Sequence, residues 1–196
     1  MSEKNTSKPG PGDGSGREAL LEATITVVAN KGMRGLTFRA VAEEAKVNNS
    51  LIAHHFGTRD GLIEAAFDWA IETSIQDSGI ESFANDRDAF TETLLKLLST
   101  DAEQKHEVFQ YEMLLESRRN PELAPKVLGL YRRFSIALAK SLAEAQAERF
   151  NEDRAAYTFA ALDGLVIQRL AGVDEDYIRR AIHQLWDDVV GNAAAQ

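Results

Sequence analysis

Two pairs of polar residues have types and spacing that could bind a metal. His54 and His55 are adjacent, and Glu103 with His106 has the Glu-x-x-His spacing found in di-iron helical bundles. Neighbouring residues on a helix point about 100° apart, so the two histidines would face different directions. A di-iron site also needs a second Glu-x-x-His and two further glutamates, whereas the sequence holds one copy. We therefore expect neither a metal nor a cofactor.

Nucleophilic catalysis is not indicated either. The chain contains no cysteine, which excludes thiol nucleophiles, disulfides and cysteine-ligated metals. Serine, histidine and aspartate all occur, but the Gly-x-Ser-x-Gly nucleophile elbow does not. The acidic groups at 174–176 and 187–188 fall at predicted helix ends, where they are most simply explained as charges that stabilise those ends. A helical hydrolase or metalloenzyme thus has no candidate site, and we predict that the chain is not an enzyme.

The elements that must position any functional residue are predicted to be helices almost throughout. Alanine, leucine, glutamate, arginine and glutamine are abundant after residue 16, and the alternation typical of strands is absent. Apolar residues at three- and four-residue spacing predict nine helices, at about 17–31, 37–45, 48–55, 61–78, 86–99, 102–119, 121–150, 152–170 and 175–190. The predicted fold is all-α, with an N-terminal three-helix helix-turn-helix domain followed by a C-terminal helical domain.

Three segments are expected along the chain. Residues 1–16 hold two of the four prolines and four of the thirteen glycines, so we predict a disordered tail. Residues 17–62 are predicted to form the helix-turn-helix domain, and residues 63–196 a domain for ligand binding and dimerisation. No apolar run approaches the roughly 18 residues of a membrane span, and residues 1–16 lack a signal peptide's apolar stretch. We expect a cytoplasmic protein with no membrane partner.

The charge is divided unevenly between these segments. The formal net charge is −9, which by itself argues against a nucleic-acid partner because phosphates attract cations. Residues 1–60, however, carry eight cationic and seven acidic side chains, so their net charge is +1. The remaining residues carry a net charge of −10. The acidity therefore belongs to the C-terminal part and leaves DNA binding open for the N-terminal part.

Two short predicted helices joined by a three- or four-residue turn indicate a helix-turn-helix. Thr37 and Asn48 each precede one of these helices and are good N-cap residues. Val41 and Ile52 fall at positions that would pack the two helices together. In such a motif the second helix lies in the major groove of DNA, while helix N-termini and small polar side chains bond phosphates.

At this point the residues resemble a known family. Residues 35–48, GLTFRAVAEEAKVN, and residues 51–62, LIAHHFGTRDGL, are similar to the DNA-binding domain of the tetracycline-repressor (TetR) family. The resemblance covers about residues 17–65 and implies a ligand-responsive transcriptional regulator, most often a repressor, that binds a palindromic operator as a homodimer. The DNA-binding residues it implies are Thr37, Arg39, Lys46, Asn48, Asn49, Ser50, Leu51, Ala53, His54, His55 and Arg59.

Three of these positions depart from the family pattern. Lys46 stands in the turn where many members have glycine, and a left-handed conformation there would cost about 1 kcal/mol. Ala53 replaces a frequent phosphate-binding tyrosine, and Arg59 replaces the usual lysine, for which a phosphate contact is implied. The missing tyrosine and the small local charge leave one alternative open, a helical ligand-binding or scaffolding protein that no longer reads DNA.

The C-terminal part suggests a ligand cavity and a dimer interface. Thirteen of the fifteen aromatic residues lie after residue 60, and polar residues interrupt otherwise apolar helices. We predict that an unidentified small-molecule effector is bound by Phe109, Glu112, Met113, Tyr131, Phe134 and Asp163, although plain core positions would explain them equally well. Apolar stripes on the last two helices predict a four-helix dimer interface made by Phe159, Leu162, Val166, Leu170, Ile178, Ile182, Leu185 and Val189.

Overall fold

The computed structural model describes residues 13–77, 86–96, 99, 101–145 and 152–190. Within these ranges the chain forms nine α-helices and no strand, so the predicted all-α fold is confirmed. The helices are α1 (Asp13–Gly35), α2 (Phe38–Ala45), α3 (Asn49–Phe56), α4 (Arg59–Asp77), α5 (Arg87–Lys96), α6 (Asp101–Ser117), α7 (Ala124–Ala145), α8 (Glu152–Leu170) and α9 (Glu175–Val189). None of them is long and apolar enough to cross a lipid bilayer.

The helices group into two compact units. The first, which we call the head, ends at Ala66, and the second, which we call the body, begins at Phe67. The boundary falls inside α4 and four residues later than the predicted division at 62/63, because Leu62, Ile63 and Ala66 are all buried and extend the packing of the head.

The head is built on α1, which packs on α2, and α2 in turn packs on α3. Leu20, Leu21, Ile25 and Val28 are fully buried, as the three- and four-residue spacing predicts. The helix begins at Asp13, so the predicted disordered tail of 1–16 is wrong for residues 13–16, and residues 1–12 lie outside the described part. Extending a helix already held by its packed face costs far less than starting a new one, which accounts for the extra turn.

Gly32 interrupts α1 near its C-terminal end. Its φ of 65° and ψ of 175° are not helical, so the regular helix ends where the sequence predicts and residues up to Gly35 form a further turn. This break directs the chain into the N-terminus of α2. There Leu36 is buried and Thr37 has the extended backbone typical of an N-cap.

The body surrounds the central helix α6. Phe109 and Met113 of α6 are fully buried, as are Phe90 of α5, Leu138 of α7 and Ile178 of α9. A 3-10 turn, Pro121–Leu123, precedes α7 and is capped by the Asn120 side chain, which accepts from the Glu122 amide at 3.2 Å. Helix α9 packs on α5 and α8, and its Arg179 pairs with Glu92 of α5. The predicted bounds of α8 and α9 are confirmed to within one residue.

Candidate nucleic-acid interface and ligand cavity

The N-termini of α2 and α3 are both capped by the predicted side chains. The Thr37 Oγ1 accepts a hydrogen bond from the Ala40 amide at 3.1 Å. The Asn48 Oδ1 accepts from both the amide and the hydroxyl of Ser50, at 3.0 and 3.1 Å. Each cap satisfies a backbone N–H that the helix itself leaves without a partner. The N–H groups that a helix start leaves without a partner can bond phosphate oxygens.

The turn between α2 and α3 depends on a left-handed residue. Lys46 has φ 57° and ψ 40°, and within the described part of the chain no other non-glycine residue has a positive φ. Its amide bonds the Glu43 carbonyl at 3.3 Å, and the Val47 amide bonds the Ala42 carbonyl at 3.0 Å. These two bonds close the C-terminus of α2 in the manner that glycine usually permits. The cost of about 1 kcal/mol that a left-handed conformation imposes on a residue with a side chain therefore applies at Lys46, whose side chain is exposed.

Most of the predicted DNA-binding side chains are exposed in the head. Ile52 is fully buried and anchors α3 to the rest of the head, which turns the opposite side of α3 to solvent. Leu51 and His55 are half-buried, and the His55 ring lies 6.0 Å from the Phe56 ring between centroids. The exposed residues are Thr37, Arg39, Lys46, Asn48, Asn49, Ser50, Ala53, His54 and Arg59.

Arg39 is exposed but paired within its own helix. Its Nε donates to the Glu43 Oε1 at 2.8 Å, one helical turn away. The hydrogen bond and charge of Glu43 raise the pKa of Arg39, and the same pair lowers the pKa of Glu43. Because both side chains are highly exposed, the ion pair is weak and can open when a phosphate competes for the guanidinium.

Arg59 has a structural task that its sequence position does not reveal. Its Nε donates to the Leu36 carbonyl at 3.1 Å, and its Nη2 donates to the Met33 carbonyl at 2.6 Å. Both acceptors belong to buried residues at the junction between α1 and α2. The phosphate contact that the TetR resemblance implies for Arg59 competes with this task, because two of its three nitrogens already bond the backbone.

Replacing Arg59 with glutamine is therefore expected to destabilise the head. The loss of two charge-assisted hydrogen bonds to buried carbonyls, partly offset by water because the side chain is 43% exposed, is worth about 1–2 kcal/mol. Urea denaturation followed by circular dichroism measures the difference, and the exposed Arg39→Gln serves as the matched control. Equal stability of the two variants, with weaker DNA binding by Arg59→Gln, would assign Arg59 to phosphate instead.

The body contains a cavity between α6, α7 and α8. Its volume is about 60 Å³, which is enough for several water molecules, within about 690 Å³ of atom-free space that is partly open to solvent. Helix α4 contributes Phe67 and α5 contributes Leu94. The other lining residues are Glu107, Gln110, Tyr111 and Leu114 of α6, Val127, Leu130, Tyr131 and Phe134 of α7, and Phe159, Leu162, Asp163 and Val166 of α8.

A hydrogen-bonded carboxylate and a second carboxyl group face this cavity. The Tyr111 hydroxyl donates to the Asp163 Oδ1 at 2.7 Å, and burial raises the pKa of Asp163 against the opposing effect of that bond. Burial and the nearby Asp163 charge raise the pKa of Glu107 to about 7. Burial raises the pKa of both Tyr111 and Tyr131 as well, so both stay neutral. The cavity thus holds acidic groups in apolar surroundings.

The structure brings three of the six predicted cavity residues together and places the others elsewhere. Tyr131, Phe134 and Asp163 line the cavity. Phe109 and Met113 are fully buried on the opposite side of α6, and Glu112 is half-buried outside the cavity wall, so their predicted positions are wrong. The residues of α6 that do line it recur at 107, 110, 111 and 114. This helical spacing of a glutamate, a glutamine and a tyrosine was the signal that could have identified them.

The predicted dimer stripe lies largely inside the protomer. Leu162, Ile178, Ile182 and Leu185 are buried, which corrects their assignment to an intersubunit surface. The stripe of α9 packs on α5 and α8 of the same chain, and Phe159, Leu162 and Val166 line the cavity. Leu170 and Val189 are half-buried. The large apolar side chains that α8 and α9 expose are Tyr157, Ile167 and Tyr177.

Three members of the residue groups that resembled metal or acid-base sites make structural contacts. Asp174 caps α9 by accepting a hydrogen bond from the Tyr177 amide at 3.2 Å. The Asp187 Oδ1 lies 3.6 Å from the Arg87 Nη1. The His106 ring packs near the Trp69 ring, with 5.7 Å between centroids. In the described ranges, no three histidine, aspartate or glutamate side chains come together as a metal site would require.

Comparison with known families accounts for both units. A family model of bacterial regulatory proteins of the tetR family matches residues 20–66, and a model of the tetracyclin repressor-like C-terminal domain matches residues 85–188. The HTH-type transcriptional regulator BetI of Paraburkholderia phymatum is 37% identical over 49 residues, which are 25% of this chain and 25% of BetI. The chain thus matches about a quarter of the length of this curated relative.

Solved structures resemble this chain over most of its length. A TetR-family member from Streptomyces coelicolor A3 has a TM-score of 0.68 and 28% identity, covering 87% of this chain and 97% of that one. The multidrug binding protein EbrR, in complex with imidazole, has a TM-score of 0.62 and 27% identity, covering 94% and 97%. A second structure of EbrR contains proflavin.

Proposed function

Because this chain belongs to the TetR family of bacterial regulatory proteins, we propose that it is a repressor released from a palindromic DNA operator by a small molecule. Proteins of this family regulate transcription and are not enzymes. The observation that carries the proposal is the geometry of α3, which buries Ile52 and presents Asn49, Ser50 and His54 to solvent at a capped N-terminus. A helix held in this way can enter a major groove with its first turns against the bases.

The charge distribution implies that one head alone binds weakly. Residues 1–60 carry a net charge of +1, so few cations are available to meet phosphates. The rest of the chain carries a net charge of −10 and is repelled by DNA. Two heads joined in a dimer add their contacts on one duplex, and their two-fold symmetry fits a palindromic sequence. We infer that the DNA-binding unit is the homodimer.

The outer side of α8 and the start of α9 are the surface proposed for dimerisation. Tyr157, Ile167 and Tyr177 are about half or more exposed in the protomer, although large apolar side chains are usually covered. Between them on α8 lie the small residues Ala160 and Gly164, at the spacing of one helix face. Small residues let two helices approach closely, and a pair of such helices from each subunit would form a four-helix interface.

The cavity of the body is the site proposed for the effector. Its apolar walls with few polar groups are those of a small-molecule site. The multidrug binding protein EbrR, a structural relative, has been solved in complex with imidazole and with proflavin, which supports a small-molecule effector for this chain. Helix α4 starts in the head at Arg59 and contributes Phe67 to the cavity wall. A ligand that favours one position of α4 would shift the equilibrium between DNA-binding and released states.

Substitution of Asn49 tests this assignment. Asn49→Ala removes a polar group from each α3 and is expected to weaken binding to the specific DNA site about 10- to 100-fold, because the loss occurs twice per dimer. Fluorescence anisotropy with labelled upstream DNA at fixed salt measures the affinity. The matched control is Asn30→Ala, an exposed asparagine on α1 away from α3, which should bind DNA like the unaltered protein. Equal affinities of both variants would refute the reading role of α3.

A further inference from the structure

The charged groups that line the cavity are acids and include no base. Eleven of its fourteen lining residues are apolar or aromatic, and the three exceptions are Gln110 and two residues with carboxyl groups, Glu107 and Asp163. None of these fourteen described residues is a lysine, arginine or histidine. Two acids therefore face an apolar space whose wall supplies no cation. Such an arrangement is unfavourable in the empty protein, because a buried carboxylate needs an opposite charge or several donors.

Two of the hydrogen-bond donors in the lining bond to groups other than Glu107. The Tyr111 hydroxyl donates to Asp163, as described above, and the Gln110 Nε2 donates to the buried Ser74 Oγ at 3.0 Å. Within the part of the chain that the structure describes, no side chain donates a hydrogen bond to the Glu107 carboxyl group. Glu107 is thus the carboxyl group of the cavity that a positively charged ligand would pair with.

Aromatic rings surround the space next to these carboxyl groups. Phe134 and Phe159 are stacked, with 5.4 Å between centroids and 15° between planes. The Tyr131 ring meets Phe159 edge-on, with 5.9 Å between centroids and an angle of 74°. Ring faces attract cations, and flat apolar surfaces pack well against such walls. The cavity therefore combines two features that both favour a positively charged, flat guest.

We infer that the effector is an organic cation with a single charge and a flat aromatic body, bound with its charge against Glu107 and its body among Tyr131, Phe134 and Phe159. The single charge matches Glu107, the lining carboxyl group to which no side chain in the described part of the chain donates a hydrogen bond, whereas Asp163 already accepts one from Tyr111. An aromatic quaternary ammonium or a protonated aromatic amine has this chemistry. The inference rests on the proposed function of the cavity as the effector site and specifies what that site selects.

Two probes of nearly identical shape separate charge from size. The 1-methylquinolinium ion carries a permanent positive charge, and 1-methylnaphthalene is its neutral counterpart. Titration of the full-length protein is expected to show at least about tenfold tighter binding of the cation, since one paired charge is worth about that factor. In Glu107→Gln the preference is expected to disappear. In Glu112→Gln, which alters a glutamate of the same helix outside the cavity wall, the preference should persist.

Each other outcome has a definite meaning. Equal or tighter binding of the neutral probe, retention of the preference in Glu107→Gln, or binding of neither probe would overturn the inference. The same samples are titrated with operator DNA, so that the two proposals are judged separately. DNA binding without a preference for the cation refutes only the cationic effector. A preference for the cation in a protein that binds no DNA supports the cavity's selectivity and contradicts the proposed repressor.

Discussion

Replacing Ile167 with glutamate is expected to separate the dimer into folded monomers and to weaken DNA binding at least about a hundredfold. Ile167 is 49% exposed in the protomer, so the substitution leaves the core of the body intact. In a two-fold interface the change occurs twice, which removes apolar contacts and places two unpaired carboxylates where water is excluded. A combined loss of about 3 kcal/mol or more corresponds to that hundredfold change.

Sedimentation velocity measures the association of the variant, and anisotropy titration measures its affinity for DNA. Leu128→Glu is the matched control, because Leu128 is a 69% exposed apolar residue on α7, outside the proposed interface. This control should remain dimeric and bind DNA normally. If Leu128→Glu dissociates the dimer and Ile167→Glu does not, the interface lies on another face of the body.

Replacing Glu107 with glutamine is expected to abolish much of the pH dependence of stability. The pKa of Glu107 is about 7 in the folded protein, above the 4.5 of an unperturbed glutamate. Between these values the folded state binds more protons than the unfolded state, so the free energy of unfolding decreases as the pH rises from about 4.5 to 7. Above pH 7 Glu107 is ionised in the folded protein as well, and the full free-energy cost of that buried charge applies. Glutamine removes this cost and would stabilise the protein by as much as about 3 kcal/mol.

Other titratable groups lie near Glu107 and affect its ionisation. Asp163 on α8 opposes its ionisation, His106 on α6 favours it, and Tyr111 and Tyr131 stay neutral in this pH range. Urea denaturation at pH 5, 6, 7 and 8 measures the free energy of unfolding. Glu107→Gln should match the unaltered protein at pH 5 and exceed it at pH 8, whereas Glu112→Gln should keep the original slope. A slope that survives in Glu107→Gln would show that another group causes it.

The head could be predicted closely from the sequence because its signals are local. The caps Thr37 and Asn48 and the buried Ile52 each follow from residue type and from spacing within a few positions. Arg59 could not be predicted in the same way. Its bonds to the Met33 and Leu36 carbonyls join residues 26 and 23 positions apart, and no pattern in the sequence marks them.

The cavity could be predicted only in part, because α6 is surrounded by other elements. A helix that is apolar on several sides does not reveal which side meets a neighbour and which meets an empty space. Phe109 and Met113 looked as suitable as Tyr111, and the packing of the body decided between them. The stripes of α8 and α9 were likewise correct as buried faces, but they are buried within the protomer and not between subunits.

Selection of bound sequences from a pool of random duplex DNA tests the central claim most directly. The purified full-length protein is expected to enrich one two-fold symmetric sequence whose half-sites are about one helical turn apart. Binding should weaken as salt is raised, because phosphate contacts release counterions. Recovery of a pool with no enriched sequence would contradict the account, and the helical body would then serve ligand binding without the reading of DNA.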